Sequence, residues 1–85
     1  MFDFKTGQRV IVHIHDEYGP YIRASTYDMA GTLEDIFDEK LYVLYWITRP
    51  DGLEADGGCD FFFGNAADEV KIQRMLDSIK IMVNQ

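Results

Sequence analysis

Two imidazoles and a carboxylate stand together in His13-Ile14-His15-Asp16, the densest run of metal-ligand chemistry in the chain. On a strand, residues i and i+2 share a face, so His13 and His15 point the same way, with Asp16 beside them. A protein zinc site takes a third or fourth protein ligand beyond such a pair. Cys59 or Asp60 supplies one only if its loop folds back, so the reading adopted is an exposed strand face, with no metal and no cofactor. The loop acids Asp51, Glu54, Asp56 and Asp60 raise the question of calcium. Their spacing lacks the alternating ligands and closing glutamate of an EF-hand loop. Ser25 and Ser78 are the only serines, and neither sits in a nucleophile elbow. Cys59 lies beside Asp60, and adjacent negative charge disfavours the thiolate that a nucleophile needs. The sequence therefore predicts a protein that is not an enzyme and has no catalytic residue.

Charge is the stronger signal. The chain has 15 acids and 8 Lys or Arg, a net charge of −7. Between residues 28 and 69 stand eleven acids against Lys40 and Arg49, which concentrates −9 in the middle of the chain. Direct binding to nucleic acid needs clustered Lys and Arg to displace phosphate counterions, and this balance excludes it. Acids at this density keep a protein soluble, and they also attract basic partners. Glu34, Asp35, Asp38, Glu39, Asp51, Glu54, Asp56 and Asp60 are the candidate partner-binding surface. Tyr18, Tyr21, Tyr27, Tyr42 and Trp46 are a candidate aromatic surface. With Tyr45 and Phe61–Phe63 they exceed what a core of this size hides. Aromatic faces beside carboxylates can receive a cation.

Positioning these groups falls to one domain spanning residues 1–85, small but 47% apolar, with no apolar run long enough to cross a membrane. The N-terminus has no apolar stretch of signal-peptide length, and a lone cysteine fits a reducing compartment, so a cytoplasmic location is expected. Period-2 alternation predicts a strand over about 8–15, with Val10, Val12 and Ile14 facing inward. A long connection follows, punctuated by Gly19-Pro20, with room for a short irregular strand over 21–27. Residues 30–37 and 40–48 read as a hairpin turning at Asp38-Glu39-Lys40. Leu33, Ile36 and Phe37 break the alternation, which predicts a bulge near Glu34-Asp35. Both faces of Leu41–Thr48 are apolar, so that strand is expected to be covered on both sides. Residues 49–60 read as a mobile loop and 60–63 as a short strand. A helix over about 66–83 is predicted, capped by Asn65, with Ile72, Met75, Leu76, Ile79, Met82 and Val83 on one stripe. Residues 69–72 can alternatively be read as a last strand before a shorter helix.

The order Gly31-Thr-Leu-Glu-Asp-Ile-Phe-Asp38, then Leu41-Tyr-Val-Leu-Tyr-Trp46, an aromatic strand and a terminal helix resembles small SH3-like barrels of the chromodomain and Tudor type. The opening Gly7–Val12 is similar to that of KOW barrels. The resemblance implies an α+β, mainly β fold: a small, partly open antiparallel barrel of four to five strands with a C-terminal amphipathic helix. Two functions are expected. The first is an inhibitor or adaptor that docks on the basic surface of a nucleic-acid-binding protein, as phage-encoded anti-defence proteins and DNA mimics do. In that reading the cytoplasm is a host's and the protein is viral, with a homodimer open. The alternative is a module reading a methylated Lys or Arg in an aromatic cage.

Overall fold

The computed structural model describes residues 1–79, without the side chain of Glu54. Its elements are β1 (His13–His15), β2 (Gly19–Thr26), α1 (Tyr27–Ile36), a π-helical turn (Phe37–Leu41), β3 (Trp46–Thr48), a 3-10 turn (Asp51–Asp56), β4 (Gly57–Phe62) and α2 (Glu69–Ser78). The four strands form one antiparallel sheet in the order β1-β2-β4-β3. β2 and β4 are central and pair Ile22 with Phe61 and Ala24 with Cys59. β1 and β3 are edges, so the sheet is open. The chain is thus α+β with an antiparallel sheet and two helices, and the barrel implied by the resemblance is not closed.

Alternation along the central strands sorts the side chains. Ile22, Ala24, Cys59 and Phe61 face one side and are fully buried, together with Met29, Leu33 and Phe37 of α1 and its π turn and Leu76 of α2. Tyr21, Arg23, Asp60 and Phe62 alternate with them and face the other side, on which no helix packs among the described residues. Burial of a large apolar side chain contributes about 1.5–3 kcal/mol, so this cluster carries the stability of the domain. α2 joins it through Ile72 and Leu76 and is tied to the N-terminal segment. The Met1 nitrogen donates to the Leu76 carbonyl at 2.9 Å, and Gln73 bridges Val12 N–H and Val10 C=O.

The expected hairpin is the principal correction. Residues 30–37 are not a strand; residues 30–36 belong to α1 and Phe37 opens the π turn. Thr26 caps it by accepting the Met29 N–H at 3.2 Å. Met29, Ala30, Leu33 and Phe37 fall at i, i+1, i+4 and i+8, a helical stripe. The broken alternation attributed to a bulge was this stripe. Residues 40–48 are strand only at Trp46–Thr48. The turn at Asp38-Glu39-Lys40 is the π turn, closed by Tyr42 in a left-handed conformation (φ 52°, ψ 47°). Leu41–Thr48 is also not covered on both sides. Val43, Tyr45 and Ile47 pack on the core, whereas Tyr42, Leu44 and Trp46 are exposed.

Other boundaries shift for local reasons. Of residues 8–15 only His13–His15 are in the sheet. Val10 is buried, Val12 half-buried and Ile14 exposed. The irregular strand in the long connection is the regular eight-residue β2. The predicted mobile loop holds the 3-10 turn and the first residues of β4. Gly57 and Gly58 serve close packing there. A Cβ at Gly57, whose φ is +74°, would lie 2.7 Å from Tyr27 Cβ, and one at Gly58 would meet the Ala24 carbonyl. α2 starts at Glu69 rather than 66, because Asp68, not Asn65, accepts the Val70 and Lys71 N–H groups. Residues 69–72 are therefore helical. Met82 and Val83, expected on the stripe, lie outside the described residues.

Candidate functional site

The densest unpaired charge sits where α1 runs into the π turn. Glu34, Asp35, Asp38 and Glu39 are spaced i, i+1, i+4 and i+5, which places them on the side of the helix away from Leu33 and Phe37. None of them takes part in the ion pairs among the described residues, which are Lys5–Asp56, Arg9–Asp77 and Arg23–Asp60. The last turn of α1 holds no basic residue, and Lys40 alone follows in the π turn. A helix C-terminus is already the negative end of its dipole, so carboxylates there work against helix stability. Tyr45 registers the field: burial first, then the hydrogen bond it donates to Asp38 and the charges of Asp38, Glu34 and Asp35, push its phenol up to about 12.

Next to these acids the chain exposes apolar side chains. Tyr42 is 80% and Leu44 90% accessible, and Leu41 is also exposed. Tyr42 closes the π turn by donating its N–H to the Phe37 carbonyl, and Val43 N–H reaches the same oxygen at 2.9 Å. This is the position at which a helix commonly ends on glycine, and an L-residue there is strained. Leu44 also lines a largely apolar groove of about 370 Å³ with Val43, Phe63, Ile72 and Met75, to which Lys71 adds one cation. Acids, exposed Tyr and Leu, and an adjoining groove therefore form one continuous protrusion. Leu41 and Leu44 were missed as surface residues because an even apolar run reads as buried strand. The signal that could have found them is the helical stripe ending at Phe37, which leaves Leu41–Leu44 outside it.

The remaining predicted residues separate from this site. Asp60 is 4% exposed and accepts two hydrogen bonds from Arg23, from Nε at 2.8 Å and Nη2 at 3.0 Å. It balances a charge on the sheet and is not free to meet a partner. Asp56 pairs with Lys5, and Asp51 is exposed on the 3-10 turn. The side chain of Glu54 lies outside the described residues. Asp3 anchors the N-terminal turn; burial raises its carboxyl, but hydrogen bonds from Thr6, Ser25 and Lys5 outweigh this and hold it below the usual range.

The aromatic candidates split in the same way. Tyr18, Tyr21 and Trp46 converge on the uncovered face of the sheet around Phe62. Trp46 stacks on Phe62 at 4.5 Å, Tyr21 stacks on it at 4.9 Å, and Tyr18 meets Trp46 edge-on at 5.3 Å. These are ring-contact distances, so the rings pack against one another around Phe62. Tyr27 lies apart at the start of α1, and Tyr42 belongs to the acidic protrusion.

His13 and His15 share the uncovered face, as the strand spacing predicts, and no group of three or more metal-ligating side chains occurs among the described residues. His15 Nδ1 accepts the N–H groups of Glu17 and Tyr18 at 3.0 and 3.2 Å, so the imidazole closes the β1–β2 turn. Cys59 is buried under α1, and burial raises its thiol to about 11, more than Arg49 lowers it. A thiol-specific reagent is therefore expected to leave folded protein unmodified at pH 8 and to react at once in denaturant. Fast labelling of the folded state would show that Cys59 is accessible. No helix among the described residues is long and apolar enough to cross a membrane. Comparison with protein-family models, with curated proteins and with solved structures yields no match.

Proposed function

We propose that this chain is a non-enzymatic binding protein, an inhibitor or adaptor that docks its acidic protrusion on the basic surface of a nucleic-acid-binding protein. The observation that carries the reading is the joining of four unpaired carboxylates at a helix C-terminus to the most exposed apolar side chains, Tyr42 and Leu44. Carboxylates held on a helix stand in for phosphates and steer association, while Tyr and Leu supply the desolvated contacts that hold a complex. The acids oppose the helix dipole and form no ion pair among the described residues, with Asp38 alone hydrogen-bonded by Tyr45, so helix stability does not explain their placement. A cationic cage has less support, since Tyr18, Tyr21 and Trp46 are packed against one another.

The test is affinity capture at low salt, followed by titration calorimetry with the purified partner. The partner is expected to be basic, to lose nucleic acid when this protein binds, and to bind more weakly as salt rises. Replacing Glu34, Asp35, Asp38 and Glu39 by Lys is expected to lower affinity at least about a hundredfold. The melting temperature is expected to hold or rise, because lysines suit a helix C-terminus. Salt-independent binding, or affinity unchanged by the four substitutions, would remove the acidic end from the function.

A further inference from the structure

We propose that the cleft between the N-terminal turn and the start of α1 is a binding site for an organic ammonium ion. The cleft has a volume of about 490 Å³ and is lined by Phe2, Asp3, Phe4, Gly7, Thr26 and Asp28. Small-ligand sites typically measure about 300–1,000 Å³. Phe2 is 65% and Phe4 37% exposed, and neither belongs to the core or to the half-buried shell packed on it. Burial in the fold therefore does not account for the two phenylalanines that flank Asp3.

Charge selects a cation as the occupant. The lining holds two carboxylates and no basic side chain. The bases around Asp3 are already committed. Lys5, next to Phe4 in the chain, is paired with Asp56. Arg9 and Arg23, which share the neighbouring hollow with Asp3, are paired with Asp77 and Asp60. Asp3 is fixed by hydrogen bonds from Lys5 N–H at 2.8 Å, Thr6 N–H at 2.9 Å and the Ser25 hydroxyl at 2.7 Å. All three go to Oδ1, and Oδ2 accepts none among the described residues. Asp28 joins none of the ion pairs among the described residues. The start of α1 is the positive end of a helix dipole, but that amounts to about half a charge against two full carboxylates.

The aromatic lining decides which kind of cation. A calcium ion takes about six to eight oxygen ligands, and no group of three or more metal-ligating side chains occurs among the described residues. Phenylalanine faces offer no lone pair to a metal, whereas they attract an alkylammonium and desolvate its carbon groups. A free amine and a lysine side chain of another protein share this chemistry. The site is distinct from the acidic protrusion. Asp28 lies in the first turn of α1 and the four acids at its far end, and a helix of ten residues spans about 15 Å. Failure of the docking reading therefore leaves this site untouched.

The experiment is a titration of the isotope-labelled full chain with choline, read by amide chemical shifts at about 0.15 M salt, beside neohexanol, its uncharged isostere. Saturable shifts are expected at residues 2–7 and 26–28, with a dissociation constant of about 1–10 mM for choline and at least about tenfold weaker binding of the alcohol. Phe2→Leu and Asp28→Asn, both at exposed positions, are each expected to weaken choline at least about threefold while the amide spectrum elsewhere stays that of the folded protein. Replacing Glu34, Asp35, Asp38 and Glu39 by Lys is expected to change it less than about twofold, which separates the site from the general attraction of an acidic protein. A peptide with one trimethyllysine forms the second arm. Tighter binding than choline gives the site to a protein side chain and weaker binding gives it to a free amine, and both uphold it. No saturable shift up to about 100 mM choline overturns the proposal. So does equal binding of the alcohol, affinity unchanged in both single variants, or a set of shifts centred on residues 34–39.

Discussion

Phe37→Ala is expected to cost about 3–5 kcal/mol, enough to leave much of the chain unfolded at room temperature. Phe37 is fully buried where the end of α1, the segment before β3 and β4 meet. Its ring lies 5.6 Å from Tyr45, 5.6 Å from Phe61 and 5.5 Å from Phe63. Removing it opens a cavity among three other rings, which cannot collapse without moving β4 at the centre of the sheet. Domains of this size hold about 5–15 kcal/mol in total, so one such loss takes a large share. Denaturant titration monitored by circular dichroism measures it. Ile14→Ala, at an exposed edge-strand position, is the control and is expected to change stability by less than about 0.5 kcal/mol. A loss below about 1 kcal/mol at Phe37 would mean that the four-ring cluster is not the centre of the core.

The parts of this fold legible in the sequence are those in which one local rule spoke alone. α2 announced itself because the stripe through Ile72, Met75 and Leu76 has the helical period and no glycine or proline interrupts it, although the helix stops at Ser78 and Ile79, expected on the stripe, is extended. Alternation over residues 8–15 located a strand, but only His13–His15 of it pairs in the sheet and Ile14, expected inward, is exposed. α1 was not legible, because Thr32, Ile36 and the aromatics after it favour a strand on propensity, while the buried stripe from Met29 to Phe37 favours a helix. Tertiary burial decided between them. The end of α1 was hidden for a related reason. A helix stop is usually signalled by glycine, and here Tyr42 takes the left-handed position, so Asp38-Glu39-Lys40 passed for a hairpin turn.

The same lesson applies to the site. The charge of Glu34, Asp35, Asp38 and Glu39 is composition and was visible at once. That Asp60 is buried against Arg23 depends on the β2–β4 register, Arg23 opposite Asp60, which no short-range pattern reports. Tyr18, Tyr21 and Trp46 come from three separate segments and meet only because β4 passes between β2 and β3 and presents Phe62 to all of them. Loop-like glycines misled in the opposite direction: Gly57 and Gly58 mark close packing of β4 on β2 and on Tyr27.

Tyr42→Gly is expected to make the protein more stable and a worse binder. At φ 52° a residue with a Cβ is strained by about 1–2 kcal/mol. Glycine removes that strain and gives back part of it through the greater freedom of the unfolded chain, for a net gain of about 0.5–1 kcal/mol. The ring contributes little to folding in return, since 80% of the residue is accessible. A strained backbone holding an exposed aromatic beside four unpaired acids is the pattern of a binding anchor retained at the expense of stability. If Tyr42 is such an anchor, removing its ring lowers affinity for the basic partner about thirtyfold, the effect of a 2 kcal/mol hot spot. Thermal melting and calorimetry on the same variant separate the two effects. Tyr42→Asn, which tolerates the left-handed region better than other non-glycine residues, is expected to fall between in stability and to match glycine in lost affinity. A lower melting temperature for the glycine variant would assign the ring to the fold. Unchanged affinity would leave Leu44 and the carboxylates as the whole of the docking surface.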